Sequence, residues 1–193
     1  RLLMNRAVQA AVIENGASVI LGEGLAYDRC SVGIVTNIVS DEEDLSRWDT
    51  QPTGGEYYTT PRSIYRTQVD VVLPSGHAVL NAEDELVADF AELCDGEVIF
   101  FAVDPANPTL LAHLAAGKRG VTVADKRVVL RSGADEIRLS RLVDAPYIGK
   151  AKQAKNIANV LAGIAAGWAM GLSKEAMTTG MKTFGLELAD PAS

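Results

Sequence analysis

Apolar runs of strand length alternate with amphipathic stretches over the first two thirds of the chain. The run SVGIVTN at 31–37 is almost continuously apolar until it turns polar at Thr36 and Asn37, the signature of a strand covered on both faces. Shorter runs of the same kind predict strands at 10–14, 76–81 and 97–103. Between them the spacing predicts helices at 3–9 and 17–24. A further helix opens on Pro61 and carries Ile64, Val69 and Val72 until Pro74-Ser75-Gly76 breaks it. Leu86, Val87, Phe90, Ala91 and Cys94 make the apolar stripe of a helix over 83–94, and a short helix follows at 107–116. Strand and helix in alternation give an α/β fold, a mostly parallel sheet with helices on both faces.

The pattern then changes. From Gly120 to Leu142 apolar and charged residues alternate, predicting a small antiparallel excursion with turns at Asp125-Lys126 and Ser132-Gly133. The last quarter is helical: Ile157, Val160, Leu161, Ile164, Trp168 and Leu172 recur at helical spacing, and Ser173 opens a second helix reaching Phe184. Residues 40–58, acidic and then rich in Gly, Pro and Thr, read as a loop. Residues 1–185 form one domain in this reading and 186–193 a tail or linker, with Val35, Phe90, Phe100 and Trp168 in the core.

Composition narrows the function. At 193 residues and 48% hydrophobic, the chain can build a real core. A net charge of −7 argues against a nucleic-acid partner. No apolar run reaches the ~18 residues of a membrane span, and the cytoplasm is the expected compartment. Cys30 and Cys94 lack metal-site or disulfide spacing and read as small buried hydrophobes. His77 and His113 fall on different elements and read as structural.

The chemistry-bearing positions are the polar ends of strands, because ligands of open parallel sheets bind beyond the carboxyl ends of the strands. Glu14 ends the first strand and Thr36-Asn37 the second.

Glu14 to Leu45 resembles a pattern of the muramyl-ligase superfamily, most closely the C-terminal ligase half of cyanophycin synthetases: E-T-A-R-G-G-I-L-R-E-G-L-x-x-D-R-C-D-V-x-V-V-T-N-I-x-x-D-H-L. The residues kept are Glu14, Ile20-Leu21, Glu23-Gly24-Leu25, Asp28-Arg29-Cys30, Val32, Thr36-Asn37-Ile38 and Asp41. HAVLNAEDELVADFA, from His77 to Ala91, resembles the family's Y-A-V-L-N-A-D-D-P-L-V-A-x-M-A, and Asn156 to Ser173 resembles its N-x-x-N-x-L-A-A helix. The three blocks keep family order over roughly residues 1–185.

The resemblance implies a central-domain-like fold of P-loop type and an ATP-dependent amide ligase that joins aspartate and arginine into a polymer. ATP and Mg²⁺ are the implied cofactors. The implied partners are the rest of a longer parent chain, with an ATP-grasp half, and further copies of the same protein. By position, Glu14 and Asp41 take the role of metal ligands, hard oxygens of the kind that Mg²⁺ prefers. Thr36 and Asn37, at the strand end, and Asn156 and Asn159 take the nucleotide; the last two match the family's base-pocket N-x-x-N, whose side-chain amides can both donate to and accept from an adenine edge. Read from the residues alone, the two acids serve equally as solvated surface carboxylates, and Asn156 and Asn159 as a helix cap and a loop contact.

Four positions depart from the family. Its A-R-G-G reads Gly16-Ala17-Ser18-Val19, which removes a phosphate-binding arginine. Its two glycines have gained side chains, its D-H-L reads Asp41-Glu42-Glu43, and its V-K-R lysine reads Tyr65. No G-x-x-x-x-G-K-[ST] loop occurs within these residues; in the family it lies just upstream, so the expectation is a piece of a longer chain that lacks the phosphate loop. Blocks that build the fold are kept while site positions drift. The expectation is a degenerate, mainly structural or oligomer-forming domain of such a ligase, with two alternatives: an active domain that adds arginine to the aspartate backbone, and a free-standing interaction module.

Overall fold

The computed structural model describes residues 5–38, 61–148 and 154–185. Six strands among them form one mixed sheet: β1 (Cys30–Val35), β2 (Val72–Asn81), β3 (Glu97–Phe101), β4 (Arg119–Ala124), β5 (Arg127–Ser132) and β6 (Asp135–Arg141). They lie side by side in chain order. β1 to β4 run parallel, and β4–β5 and β5–β6 are antiparallel. The mostly parallel α/β sheet and its antiparallel extension are as the pattern predicts.

Each parallel step needs a crossover, and the three lie on one face. They are α2 (Pro61–Asp70), the short α3 (Glu85–Ala88) with a 3₁₀ turn at Asp89–Leu93, and α4 (Pro108–Ala115). Their apolar sides meet Val35, Ala78, Leu80 and Phe100 in a core that includes Val69, Val87, Phe90, Leu110 and Leu114. The opposite face is covered by the last two helices, α5 (Ala154–Ala169) and α6 (Lys174–Thr183). There Leu161, Ile164, Ala165, Met177 and Met181 pack with Val79, Ile99, Phe101, Val121 and Leu130. The helix α1 (Ala17–Glu23) packs on α2. No helix among the described residues is long and apolar enough to cross a membrane.

Glycines allow the close approaches. A Cβ on Gly33 would stand 2.3 Å from the carbonyl oxygen of Gln68 in α2, and one on Gly96 would stand 2.3 Å from the carbonyl of Gly76. At the β4–β5 turn, Asp125 and Lys126 have φ of 49° and 59°, the left-handed pair of a two-residue hairpin.

Several expectations are corrected. Residues 10–14 form no strand; they are irregular, and Val12 is 89% exposed. β1 is the edge of the described sheet, and an extended run with no ladder partner gains no backbone bonds. Of the helix expected at 3–9, the described part is a turn in which Val8 N–H donates to the carbonyl of Asn5 at 3.0 Å. Pro74 to Gly76 do not break a helix but lie inside β2. Proline is tolerated there because the ladder to β3 begins only at His77 and the register to β1 shifts between Cys30 and Val32. The helix expected at 83–94 is one α turn that tightens into 3₁₀ geometry. Trp168 and both cysteines are half-buried rather than core. The expected loop at 40–58, Asp41 and the tail at 186–193 lie outside the described residues.

Candidate functional site

The carboxyl ends of β1, β2 and β3 form a polar crest. Thr36 and Asn37 follow the last residue of β1, and Thr36 Oγ1 donates to Asn37 Oδ1 at 3.1 Å on an exposed surface. Asn81 closes β2 and spans the gap, with Nδ2 donating to the carbonyl of Thr36 at 2.9 Å while Oδ1 accepts from Glu83 N–H at 2.9 Å. Asp84 accepts from Ile38 N–H at 3.0 Å through Oδ2, and through Oδ1 from Leu86 and Val87 N–H at 3.1 and 3.2 Å. Glu83 Oε1 accepts from Asp104 N–H at 2.9 Å, and Asn107 Nδ2 donates to the carbonyl of Ala82 at 3.1 Å. These side chains satisfy the backbone groups that strands leave unpaired where their ladders stop.

Glu14 makes no hydrogen bond to this network among the described residues. It is exposed on the irregular segment before α1, next to Asn15, whose Nδ2 donates to Tyr27 Oη at 2.8 Å. Among the described residues no group of three or more His, Cys, Asp or Glu converges to hold a metal. Glu14 alone does not supply a Mg²⁺ shell.

Asn156 and Asn159 sit in the first turns of α5, both half-buried. Asn159 Nδ2 donates to Tyr147 Oη at 3.3 Å. Asn159 and Tyr147 line a cavity of about 610 Å³ between α5 and α6, whose walls include Val160, Ile164, Leu172, Met177 and Phe184; Asn156 is not part of its lining. No hydrogen bond of the Asn156 amide is found among the described residues, so of the two asparagines it is the one left open to a ligand edge. Asn159 thus bonds the neighbouring 3₁₀ turn at Pro146–Ile148, a contact to a segment outside its helix.

At the opposite end of the sheet, His77 Nε2 is 3.6 Å from Glu97 Oε2, which also accepts from Arg119 Nη2 at 2.8 Å. Burial and the Arg119 charge lower the His77 pKa despite the carboxylate, so the ring is neutral near pH 7 and this contact is no ion pair. His113 Nε2 is 3.0 Å from the carbonyl of Val98, and its ring meets Phe100 edge-on at 4.8 Å. Burial, reinforced by Lys118, lowers its pKa. Both histidine side chains are engaged by contacts within the fold.

Reasoning from the sequence passes over Asn81, Asp84 and Tyr147. The signal for the first two is present in Asn81-Ala82-Glu83-Asp84, a turn-forming polar cluster directly after an apolar strand. Tyr147 has no such signal.

No family model matches the chain. A cyanophycin synthetase of Synechocystis sp. is 32% identical over 183 residues, which is 95% of this chain and 20% of that protein. Those of Crocosphaera subtropica and Geminocystis herdmanii are 31% and 29% identical over the same shares. The chain therefore spans about a fifth of the length of the curated relatives it matches. Among solved structures, a murein peptide ligase Mpl from Psychrobacter arcticus aligns with TM-score 0.49 at 11% identity, covering 81% of this chain and 28% of that one. MurF from Acinetobacter baumannii aligns with TM-score 0.45 at 15% identity, covering 79% and 28%.

Proposed function

We propose that this chain, a homologue of one segment of the cyanophycin synthetases, is the muramyl-ligase-like domain of a cytoplasmic, ATP-dependent amide ligase and serves there mainly as a structural, oligomer-forming unit. The observation that carries this reading is the drift at Ala17, Glu42 and Tyr65, each of which stands where the resembling family keeps a charged or imidazole side chain, while Asn81 and Asp84, which the family also keeps, hold backbone groups of the crest and so maintain the fold. Its partners in this reading are the remainder of the parent polypeptide and further copies of it.

A second reading, an active ligase domain that adds arginine, is favoured by Thr36 and Asn37. Among the described residues their side chains bond only each other on the exposed crest, which leaves acceptor and donor capacity for a nucleotide. In that case Thr36, Asn37, Asn156 and Asn159 contact ATP, and Glu14 and Asp41 hold Mg²⁺. ATP there would supply the phosphoryl group that activates a carboxylate.

Glu14→Ala in the full-length parent, assayed for polymer synthesis with arginine-containing substrates, separates the two. The structural reading expects unchanged synthesis. Loss of a preorganised phosphate- or metal-stabilising group costs on the order of 10²–10³ in rate, so a fall of that size with assembly intact would establish the active reading instead.

A further inference from the structure

We infer that Asp84 is a positioning residue for the exit of β1, acting through Oδ2 and separately from its role as a helix cap. The inference goes beyond the ligase reading and holds whether the site turns over or serves as a scaffold. Past Val35 the chain leaves the ladder with β2, so the backbone groups of residues 36–38 have no strand to bond. The last residue of β2 and one of the following turn take two of them: Asn81 Nδ2 donates to the carbonyl of Thr36 at 2.9 Å, and Asp84 Oδ2 accepts from Ile38 N–H at 3.0 Å. Asn37 is therefore held from both sides, and its exposed side chain has a fixed origin.

The clamp is itself anchored. Asn81 Oδ1 accepts from Glu83 N–H at 2.9 Å, and Asp84 Oδ1 accepts from Leu86 and Val87 N–H at 3.1 and 3.2 Å. Asp84 uses both carboxylate oxygens on different elements, which needs an acceptor at each end of the group. An ionised carboxylate has that, and its bonds to backbone N–H are charge-assisted. An asparagine has one acceptor oxygen. The orientation that keeps the two cap bonds turns its amide nitrogen toward Ile38 N–H, donor to donor.

The substitution therefore separates clamp from cap. Asp84→Asn and Asp84→Ala are made in the full-length parent, and hydrogen exchange is followed by mass spectrometry on overlapping peptides that resolve residue 38 from 86 and 87. Loss of a single hydrogen bond predicts roughly tenfold faster exchange at Ile38 in Asp84→Asn, with Leu86 and Val87 nearly unchanged. In Asp84→Ala all three accelerate. Wild-type exchange at Ile38 in Asp84→Asn would overturn the inference. A second measurement reads position directly: spin labels on Asn37→Cys and Ala106→Cys, with Cys30 and Cys94 replaced by alanine, give one narrow distance distribution. Asp84→Asn is expected to broaden it, and an unchanged distribution would reduce Asp84 to a cap.

Discussion

The guanidinium carbon of Arg119 stands 5.1 Å from the centre of the Trp168 ring, and Nη2 of the same side chain is 2.8 Å from Glu97. The pair fastens the late part of α5 to the start of β4, and through Glu97 to β3. Both side chains are half-buried, and a cation–π contact contributes from about 0.5 kcal/mol when exposed to about 2 kcal/mol when desolvated. A half-buried indole loses less on truncation than the 3–5 kcal/mol of a fully buried one, so Trp168→Ala is expected to cost about 2–3 kcal/mol. Arg119→Ala should destabilise less in the Trp168→Ala background than in the wild type. Strictly additive urea-unfolding energies would show that the two side chains do not interact.

Phe90 is wholly buried and Val35 is 2% exposed, both in the core under the crossover helices. Phe90→Ala should lower stability by roughly 3–5 kcal/mol, and Val35→Ala by a smaller amount that reflects two lost methyl groups. Denaturant midpoints provide the check. A loss below about 1 kcal/mol for Phe90→Ala would place that ring outside the core.

Two glycines should respond with opposite signs. A Cβ on Gly33 would meet the Gln68 carbonyl oxygen at 2.3 Å and Val72 Cγ2 at 2.7 Å, so Gly33→Ala forces α2 away from the sheet and costs about 1–3 kcal/mol. A Cβ on Gly163, within α5, meets nothing within 4 Å. Gly163→Ala should therefore stabilise by about 0.5–1 kcal/mol through helix propensity. Equal melting shifts for the two variants would contradict this packing.

His113 supplies a pH dependence. Its folded-state pKa lies below the ordinary 6.5, chiefly through burial, so the native state prefers the neutral ring. The unfolded chain then takes up the proton first. The stabilisation is fully present above the unfolded value and is lost as pH falls below it toward the folded pKa. His77, lowered chiefly by burial and then by Arg119, adds a contribution of the same sign. The melting temperature should fall between pH 7.5 and 5, and less steeply in His113→Gln, which keeps a donor for the Val98 carbonyl. Identical slopes in the two proteins would remove His113 from the account.

The candidate site was legible in one dimension only. Thr36-Asn37 stands out because an apolar run ends there on polar residues, and β1 does stop at Val35. What Thr36 and Ile38 bond to comes from Asn81 and Asp84, 45 and 46 residues away, and no local pattern encodes that pairing. The same limit explains the segment at 10–14. Its apolar residues satisfy a strand pattern, but a strand exists only where a neighbour supplies the ladder.

The sequence by itself determined the strand and helix periods, the hairpin at Asp125-Lys126, the Ser173 cap of α6 and the two apolar faces, because these depend on residues a few positions apart. Tertiary structure alone decided that Pro74 sits inside β2, that Gly33 and Gly96 are pressed against carbonyls, and that Trp168 rests under Arg119. It also decided that the polar crest bonds itself. Each of these depends on which distant backbone or side chain arrives within a few ångströms, a quantity set by the packing of whole elements and not by the period of any one of them.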